Sequence, residues 1–553
     1  MHIFIKRLFY LCLFLGACGQ APNEQDDSEI EQIICINISV DGVSNSLNFE
    51  DISLNPVIEL TFNTPVNRTS ALTHIKMSDI NKSSVPIQFD FAADDLKITI
   101  LPAKLQQWQQ YTLNLPVLLS AKNGSTFNSP VTVNLSTSFD QVDKFPRIND
   151  EELLTLIQKQ TFKYFWDFGH PVSGMARERS TSGNTVTTGG TGFGIMAMIV
   201  AVERDFIKRN EAVERIQTIV SFLKNNCTSY HGVFSHWING QTGATQPFSA
   251  KDNAADLVET SFLMQGLLTA RQYFSNVAAD ETKLRENITE LWEAVEWDWF
   301  RRDNQNVLYW HWSSDYGWDM NHQIRGWNEC LITYILASSS PKHSIPKEVY
   351  DEGWAERGAI KNGSSFFGIT LPLGSQYGGP LFFAHYSFLG LNPKNLSDTY
   401  TADYREQNVN HTLINMNYCI QNPLKYRGYS ADCWGLTASD GNNGYSAHSP
   451  SNDKGVIAPT AALSSIPYTP EESMRALHFF YYKLGDKLWK DYGFVDAFNV
   501  TEGWYHNQFI AIDQGPIIVM IENYRTGLIW DIFMEIPEIK SGLKKLGFTS
   551  PNF

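Results

Sequence analysis

Residues 251–270 read KDNAADLVETSFLMQGLLTA, and their reading decides what the rest of the chain must be. Thr260 to Leu268 supplies a helical apolar run, and Asp252 and Asn253 occupy the place of an N-cap. On that reading Asp252, Asp256 and Glu259 fall at i, i+4 and i+7 on one helix face, with Lys251 as the nearby cation. Like charges so spaced repel by roughly 0.2–0.5 kcal/mol per pair on an exposed helix, and by more in a cleft. Acids suit a helix N-terminus, which accounts for Asp252 better than for all three. The alternative is the acidic wall of a cleft that takes a polyhydroxylated or cationic ligand.

Helical runs surround this stretch. Glu151–Phe168 is amphipathic behind an Asn149–Asp150 cap. Similar runs cover Phe193–Lys208, Glu211–Asn226, Ala254–Phe274, Glu281–Phe300, His322–Ala337, Asp403–Ile420, Pro470–Leu484 and Ile517–Thr526. The loops between them are dense in Gly, Trp, His, Asn and Asp. Many helices without strand-like alternation predict a mostly α fold, an α/α toroid of two concentric helix rings with its site at one rim. No fixed period is present, which excludes a solenoid of exact repeats.

Upstream the texture differs. Val57–Phe62, Val85–Phe91, Leu96–Ile100 and Tyr111–Leu115 alternate or run β-branched between turn residues. They predict a small β-sandwich over residues 33–140, a spacer or packing partner without a cluster of catalytic residue types. Asn63–Asn67 after a strand, with the segment leading to Tyr111–Leu113, resembles bacterial Ig-like domains that precede glycosidase modules. Further upstream, Lys6 and Arg7 precede a short apolar segment, Leu8–Leu15, and Leu15-Gly16-Ala17-Cys18 matches a bacterial lipoprotein signal. The expectation is a signal peptide over residues 1–17, lipidation at Cys18 and a flexible tether over residues 18–32. A lipid anchor in the outer membrane follows, facing the periplasm or the cell surface. The acidic stretch NEQDDSEIE (Asn23–Glu31) resembles the surface-export signals of such lipoproteins.

The chain has 553 residues, 43% hydrophobic and 18% charged, with 15 Trp and a net charge of −16. That charge excludes nucleic acid as a partner, since phosphates would be repelled, and it disfavours acidic polysaccharides. Of seven Cys, the five outside the leader are odd in number and widely spaced, so neither a disulfide framework nor a zinc site is indicated. Cys419 with Cys433 is one conceivable pair.

Several loops carry chemistry. Arg177-Glu178-Arg179-Ser180 precedes TVTTGGTGFG (Thr185–Gly194), whose glycines lack the strand and GK[ST] of a phosphate cradle and instead suit close approach of a helix end to another backbone. His231 and His236, five apart, share no helix face, so no metal is expected. Trp237, Trp310 and Trp312 fit stacking on sugar rings, with a packed aromatic cluster as the alternative. Glu329, beside Trp327, Cys330 and Leu331 at a helix start, should be partly desolvated and raised, which suits a general acid. Asp513 lies two to three residues before a helix that Pro516 opens. Two carboxylates far apart in sequence and meeting at one rim are what glycoside hydrolysis needs.

DLVETSFLMQGLLTARQYF (Asp256–Phe274), WDWF (Trp297–Phe300), HWSSDYGW (His311–Trp318), GGPLFFAHYSFLG (Gly378–Gly390), WGLTASD (Trp434–Asp440), GVIAPTAALSSIPYTP (Gly455–Pro470) and AIDQGPI (Ala511–Ile517) resemble glycoside hydrolase family 144, the glucoamylase-like domain. The resemblance runs through residues 146–553. It implies an (α/α)6 barrel that cleaves β-1,2-glucan with inversion to sophorose or short oligosaccharides, without a cofactor. It places the family's acidic pocket on Asp252, Asp256, Glu259, Glu329 and Asp513. The expected roles are Glu329 as acid and Asp513 as base. Asp252, Asp256, Glu259, Arg177, Glu178, Trp237, Trp310 and Trp312 are expected to hold substrate, and the chain is expected to act as a monomer. A direct catalytic role for Glu259 or Asp256 is the rival assignment. Rival functions are a glycan-binding lipoprotein without catalysis, and the same fold acting on another glucan or as a transglycosylase.

Overall fold

Strands β1 (Cys35–Val40), β2 (Val43–Ser44), β3 (Asn48–Ile52) and β4 (Ile58–Phe62) open the chain, and helix α1 (Arg68–His74) follows. Next come β5 (Lys76–Asp79), β6 (Ser84–Val85), β7 (Ile87–Phe91), β8 (Lys97–Pro102), β9 (Gln110–Leu115) and β10 (Val131–Thr137). This is a computed structural model, and it describes residues 30–551 and Phe553. The leader, Cys18 and most of the tether therefore lie outside the described residues. The strands form two five-stranded sheets, ordered β2-β1-β4-β8-β7 and β3-β10-β9-β5-β6, in which β3 and β10 pair in parallel. Alternation explains the layering: Ile58, Leu60 and Phe62 of β4 are buried while Glu59 and Thr61 between them are not. Leu113, Leu115, Val133 and Leu135 of the other sheet join them in one core. The first unit runs to Gln106 and resumes at Gln110–Ser138, and the second comprises Gln107–Gln109 and Phe139–Phe553.

The second unit is helical. Outer helices α2 (Asp150–Trp166), α4 (Arg209–Asn225) and α6 (Ala279–Ala294) bury one stripe each, such as Leu153, Ile157, Thr161 and Tyr164 of α2. Inner helices α3 (Thr188–Glu203), α5 (Leu257–Tyr273) and α7 (Leu331–Ser339) are buried nearly all round. The ring continues through the short turns Leu381–Ala384 and Ser387–Leu389, then Pro459–Leu463 and Ala511–Arg525, which returns to α3. Alternation of outer and inner segments is the expected toroid. No described helix is long and apolar enough to cross a membrane.

Glycines set the closest contact of the inner ring. A Cβ on Gly192 would stand 2.1 Å from the Phe262 carbonyl oxygen, and one on Gly266 would stand 2.1 Å from the Gly192 carbonyl oxygen. The α3 and α5 backbones touch there, as the Gly-rich motif suggested.

Several helix ends differ from expectation. α5 starts at Leu257 and not near Ala254, because Ala255 and Asp256 pair as a strand with Trp312 and His311. α3 starts five residues before Phe193, α7 is confined to Leu331–Ser339, and the last inner helix starts at Ala511 with Pro516 inside it. Asp513 is therefore in the first turn of that helix, and Pro516 does not open it. Glu329 precedes Cys330, the N-cap of α7. Cys419 and Cys433 are buried free thiols.

Candidate active site

Asp256 is the N-cap of α5: its Oδ1 accepts from the amides of Val258 (3.0 Å) and Glu259 (2.9 Å). Asp252 lies in the preceding loop. The three carboxylates thus do not share a helix face; a loop, a cap and a first turn bring them together. Two histidines face them, and one of the two carries a charge. His236 sets Nδ1 3.3 Å from Asp256 Oδ2 and Nε2 3.8 Å from Glu259 Oε1. His311 sets Nε2 3.5 Å from Asp252 Oδ2 and 3.7 Å from Asp256 Oδ2. Burial alone would lower His236, but Glu259, Asp256 and Asp252 together lift it to about 9, so it is a cation at neutral pH. Burial holds His311 down at about 4, neutral. Asp256 is fully buried, yet the hydrogen bond and the charge of His236 keep its carboxyl below the usual range. Burial and the Asp256 charge push Asp252 up to about 7. Ligand atoms of His236, Asp252 and Asp256 lie within 4.8 Å of one another, a spacing a cation could bridge. A protonated imidazole has no lone pair to give, and its own charge already serves the two carboxylates.

Glu259 reaches across to α3. Its Oε2 accepts from the Gly189 amide (2.7 Å) and the Thr187 hydroxyl (3.3 Å), and burial raises its carboxyl. The close α3–α5 contact makes this bond possible. Glu329 faces the same group from the start of α7. Burial, with the Glu259 and Asp256 charges behind it, raises Glu329 to about 7.

A second group of acids sits opposite. Asp513 and Asp496 are both buried, and their side chains face each other. Burial and Asp496 push Asp513 well above the carboxylate range, and the Tyr386 hydroxyl facing it acts the other way. Burial and Asp440 raise Asp496 to about 7. Asp440 itself stays ionised: its Oδ2 accepts from Arg179 Nη1 at 2.8 Å and lies 3.0 Å from His506 Nε2. Arg179 also clasps Glu178 through Nε at 2.9 Å.

A cavity of about 340 Å³ joins the two groups. Glu178, Trp237, Glu259, Trp310 and Glu329 of the expected set line it, together with Arg179, His236 and Tyr386. The indole N–H groups of Trp237 and Trp310 are buried without a protein acceptor. Asp252, Asp256 and Asp513 stand behind the wall. Two expected wall residues are elsewhere. Arg177 lies over the Phe168 ring at 4.6 Å, and Trp312 packs on Trp299 and Tyr230. His231 stacks on Trp299 and pairs with Glu296, apart from His236. Asp440, Asp496, Tyr386 and the charge role of His236 were missed. A lone Asp inside Gly493-Phe494-Val495-Asp496-Ala497-Phe498 was a usable signal, since an acid in an apolar run needs a reason to be there.

Carboxylates set around a cavity among Trp faces are the equipment of a glycoside hydrolase. The "Putative glucoamylase" family description matches residues 321–537, and the bacterial Ig-like domain description matches residues 37–140. The chain is 53% identical to an endo-β-1,2-glucanase from Chitinophaga pinensis solved with sophorotriose and glucose. That match covers 74% of this chain and 100% of the other, with a TM-score of 0.72. A β-1,2-glucanase structure from Parabacteroides distasonis is 38% identical, covering 90% of this chain and 72% of that one, with a TM-score of 0.70. An exo β-1,2-glucooligosaccharide sophorohydrolase (non-reducing end) of Parabacteroides distasonis is 46% identical over 421 residues, 72% of this chain. The alignment spans 58% of that relative's length. The chain belongs to the glucoamylase-like glycoside hydrolases of family 144.

Proposed function

We propose that this chain hydrolyses β-1,2-glucan to sophorose or short β-1,2-gluco-oligosaccharides, with inversion. The observation that carries the reading is Glu329: a carboxyl on the cavity wall, raised to about 7, facing a second carboxyl system across the space. Glu329 gives its proton to the glycosidic oxygen, and Asp513 receives the proton of the attacking water. Tyr386 lines the cavity and faces Asp513, so a hydroxyl or water relays that proton. Trp237 and Trp310 line the cavity and offer ring faces to the sugar, while Glu259, backed by Asp252 and Asp256, holds the other wall. The names of the similar proteins support the choice of β-1,2-glucan.

Incubation with linear β-1,2-glucan tests this. Release of sophorose-sized products, first as the inverted α-anomer, is expected; no reducing sugar would refute it. Glu329→Gln and Asp513→Asn are each expected to lower kcat by about 10³-fold or more with the fold intact. Near-wild-type activity in either removes that role.

We also propose that Cys18 is acylated and tethers the chain to the outer membrane, supported by Leu15-Gly16-Ala17-Cys18. Incorporation of a labelled fatty acid, lost in Cys18→Ala, is the expected result; labelling of Cys18→Ala overturns it.

A further inference from the structure

Asp513 and Asp496 present a problem of donors. Both oxygens of Asp513 and Oδ1 of Asp496 are buried, and no N–H or ordinary hydroxyl bond of good geometry reaches them. The remaining Asp496 oxygen, Oδ2, accepts from the Asp440 amide at 2.7 Å. What the unpartnered oxygens face is each other and, on the Asp513 side, the Tyr386 hydroxyl. Two buried carboxylates in contact cannot both be ionised, because neither has a donor to offer and like charges repel strongly at low dielectric. One proton between them turns the contact into a short, strong hydrogen bond.

We propose that Asp496 is the positioning residue of the base: it holds one proton jointly with Asp513 and aims the Asp513 carboxylate. The proposal rests on the reading of Asp513 as the base. Asp496 is well placed to be held still. It lies between the short strands Gly493–Phe494 and Phe498–Asn499, with its amide bonded to the Gln508 carbonyl at 3.0 Å. Asp513 is fixed from the other side, where its carbonyl accepts from the Thr460 hydroxyl at 2.8 Å. Other charged and titratable groups facing the pair are Asp440 with its partners Arg179 and His506, Glu178 beside Arg179, and the Tyr386 and Tyr445 hydroxyls.

The step balances. The shared proton rests more on Asp513, the more strongly raised of the two; in the reactive form it has passed to Asp496, which donates it to one oxygen of ionised Asp513. Water oxygen bonds to the anomeric carbon, the bond to the leaving oxygen breaks, and Glu329 protonates that oxygen. The water proton reaches the second oxygen of Asp513 through the Tyr386 hydroxyl, which takes one proton and passes on its own. The Asp496 proton is not consumed; after product leaves, solvent takes the Asp513 proton and returns one to Glu329.

Two measurements on the purified full chain test this. In infrared difference spectra at neutral pH, wild type minus Asp496→Asn is expected to show one protonated-carboxyl band lost in the variant, and wild type minus Asp513→Asn the same band. An amide at either position supplies the donor, so the remaining acid ionises. A band unchanged in Asp496→Asn overturns the proposal. In kinetics, Asp496→Ala is expected to lower kcat by about 10²-fold at unchanged KM, and Asp496→Asn to restore at least tenfold of that loss, since an amide can donate as the protonated acid does. Equal kcat in the two variants overturns it. Should Asp496→Ala not fold, the Asn variant and the spectra still decide. A wild-type chain inactive on β-1,2-glucan would sink the functional reading and leave the spectral outcome standing.

Discussion

The His236 imidazole stands 3.3 Å from the buried Asp256 carboxylate, and this pair keeps the α5 cap ionised inside the protein. His236 rises from 6.5 to about 9 because Glu259, Asp256 and Asp252 outweigh its burial. A histidine raised on folding stabilises the protein fully below its unfolded value and loses that contribution as pH rises through the folded one. His236→Gln should therefore melt lower than wild type at pH 6, with the gap closing between pH 6.5 and about 9. A gap independent of pH contradicts this. The same variant should lose about tenfold or more in kcat/KM, because Asp256 and Glu259 protonate more readily without the cation.

Glu329 makes a prediction about the pH profile. A general acid must carry its proton, and Glu329 keeps it up to about 7. Activity should fall as pH rises through about 7. Glu259 is one of the charges that raise Glu329, so the residual activity of Glu259→Gln should show this alkaline limb at lower pH. A limb that stays in place in Glu259→Gln would show that Glu259 does not act on the acid.

The two architectures and the raised carboxyl of Glu329 were legible in the sequence for physical reasons. Period-2 runs, one-faced helices and a Glu beside Trp327, Cys330 and Leu331 are local signals. The α5 start was misread because Asp252, Asn253 and Asp256 are all chemically able caps; the choice among them is made by a strand pairing to His311 and Trp312, more than fifty residues away. Arg177 and Arg179 look alike in sequence, and only the Phe168 ring and Asp440 sort one to packing and the other to the cavity. The Asp496–Asp513 contact joins an apolar link between two short strands to a helix first turn, and neither segment alone announces it.

Gly192 couples packing to the site. A methyl group there would meet the Phe262 carbonyl at 2.1 Å, so Gly192→Ala must push α3 from α5. Overpacking of this kind costs about 1–3 kcal/mol. Because Glu259 on α5 bonds to the Gly189 amide on α3 at 2.7 Å, the shift also loosens the acidic wall. Both melting temperature and kcat/KM should fall. A variant as stable and active as wild type would show that the helices can part without disturbing Glu259.

Arg204 offers the converse, stability without chemistry. At the end of α3 its Nε and Nη2 bond to Glu522 at 2.7 and 2.8 Å, and Glu522 also accepts from Gln158 of α2 at 3.1 Å. Glu522 is buried in the C-terminal half of the helix that carries Asp513 in its first turn, so the cluster ties three helices together away from the cavity. Burial would raise Glu522, but Arg204 and the hydrogen bonds hold it below 4.5. Arg204→Ala leaves that charge without its cation and should cost about 3 kcal/mol at pH 7, with kcat per folded molecule unchanged. A carboxyl depressed on folding stabilises above its unfolded value and loses this as pH falls through the folded one. The melting gap between wild type and Arg204→Ala should therefore be widest at neutral pH and narrow once pH drops below 4.5. A gap that does not change with pH would assign the stabilisation to the Arg204 stem and not to its charge.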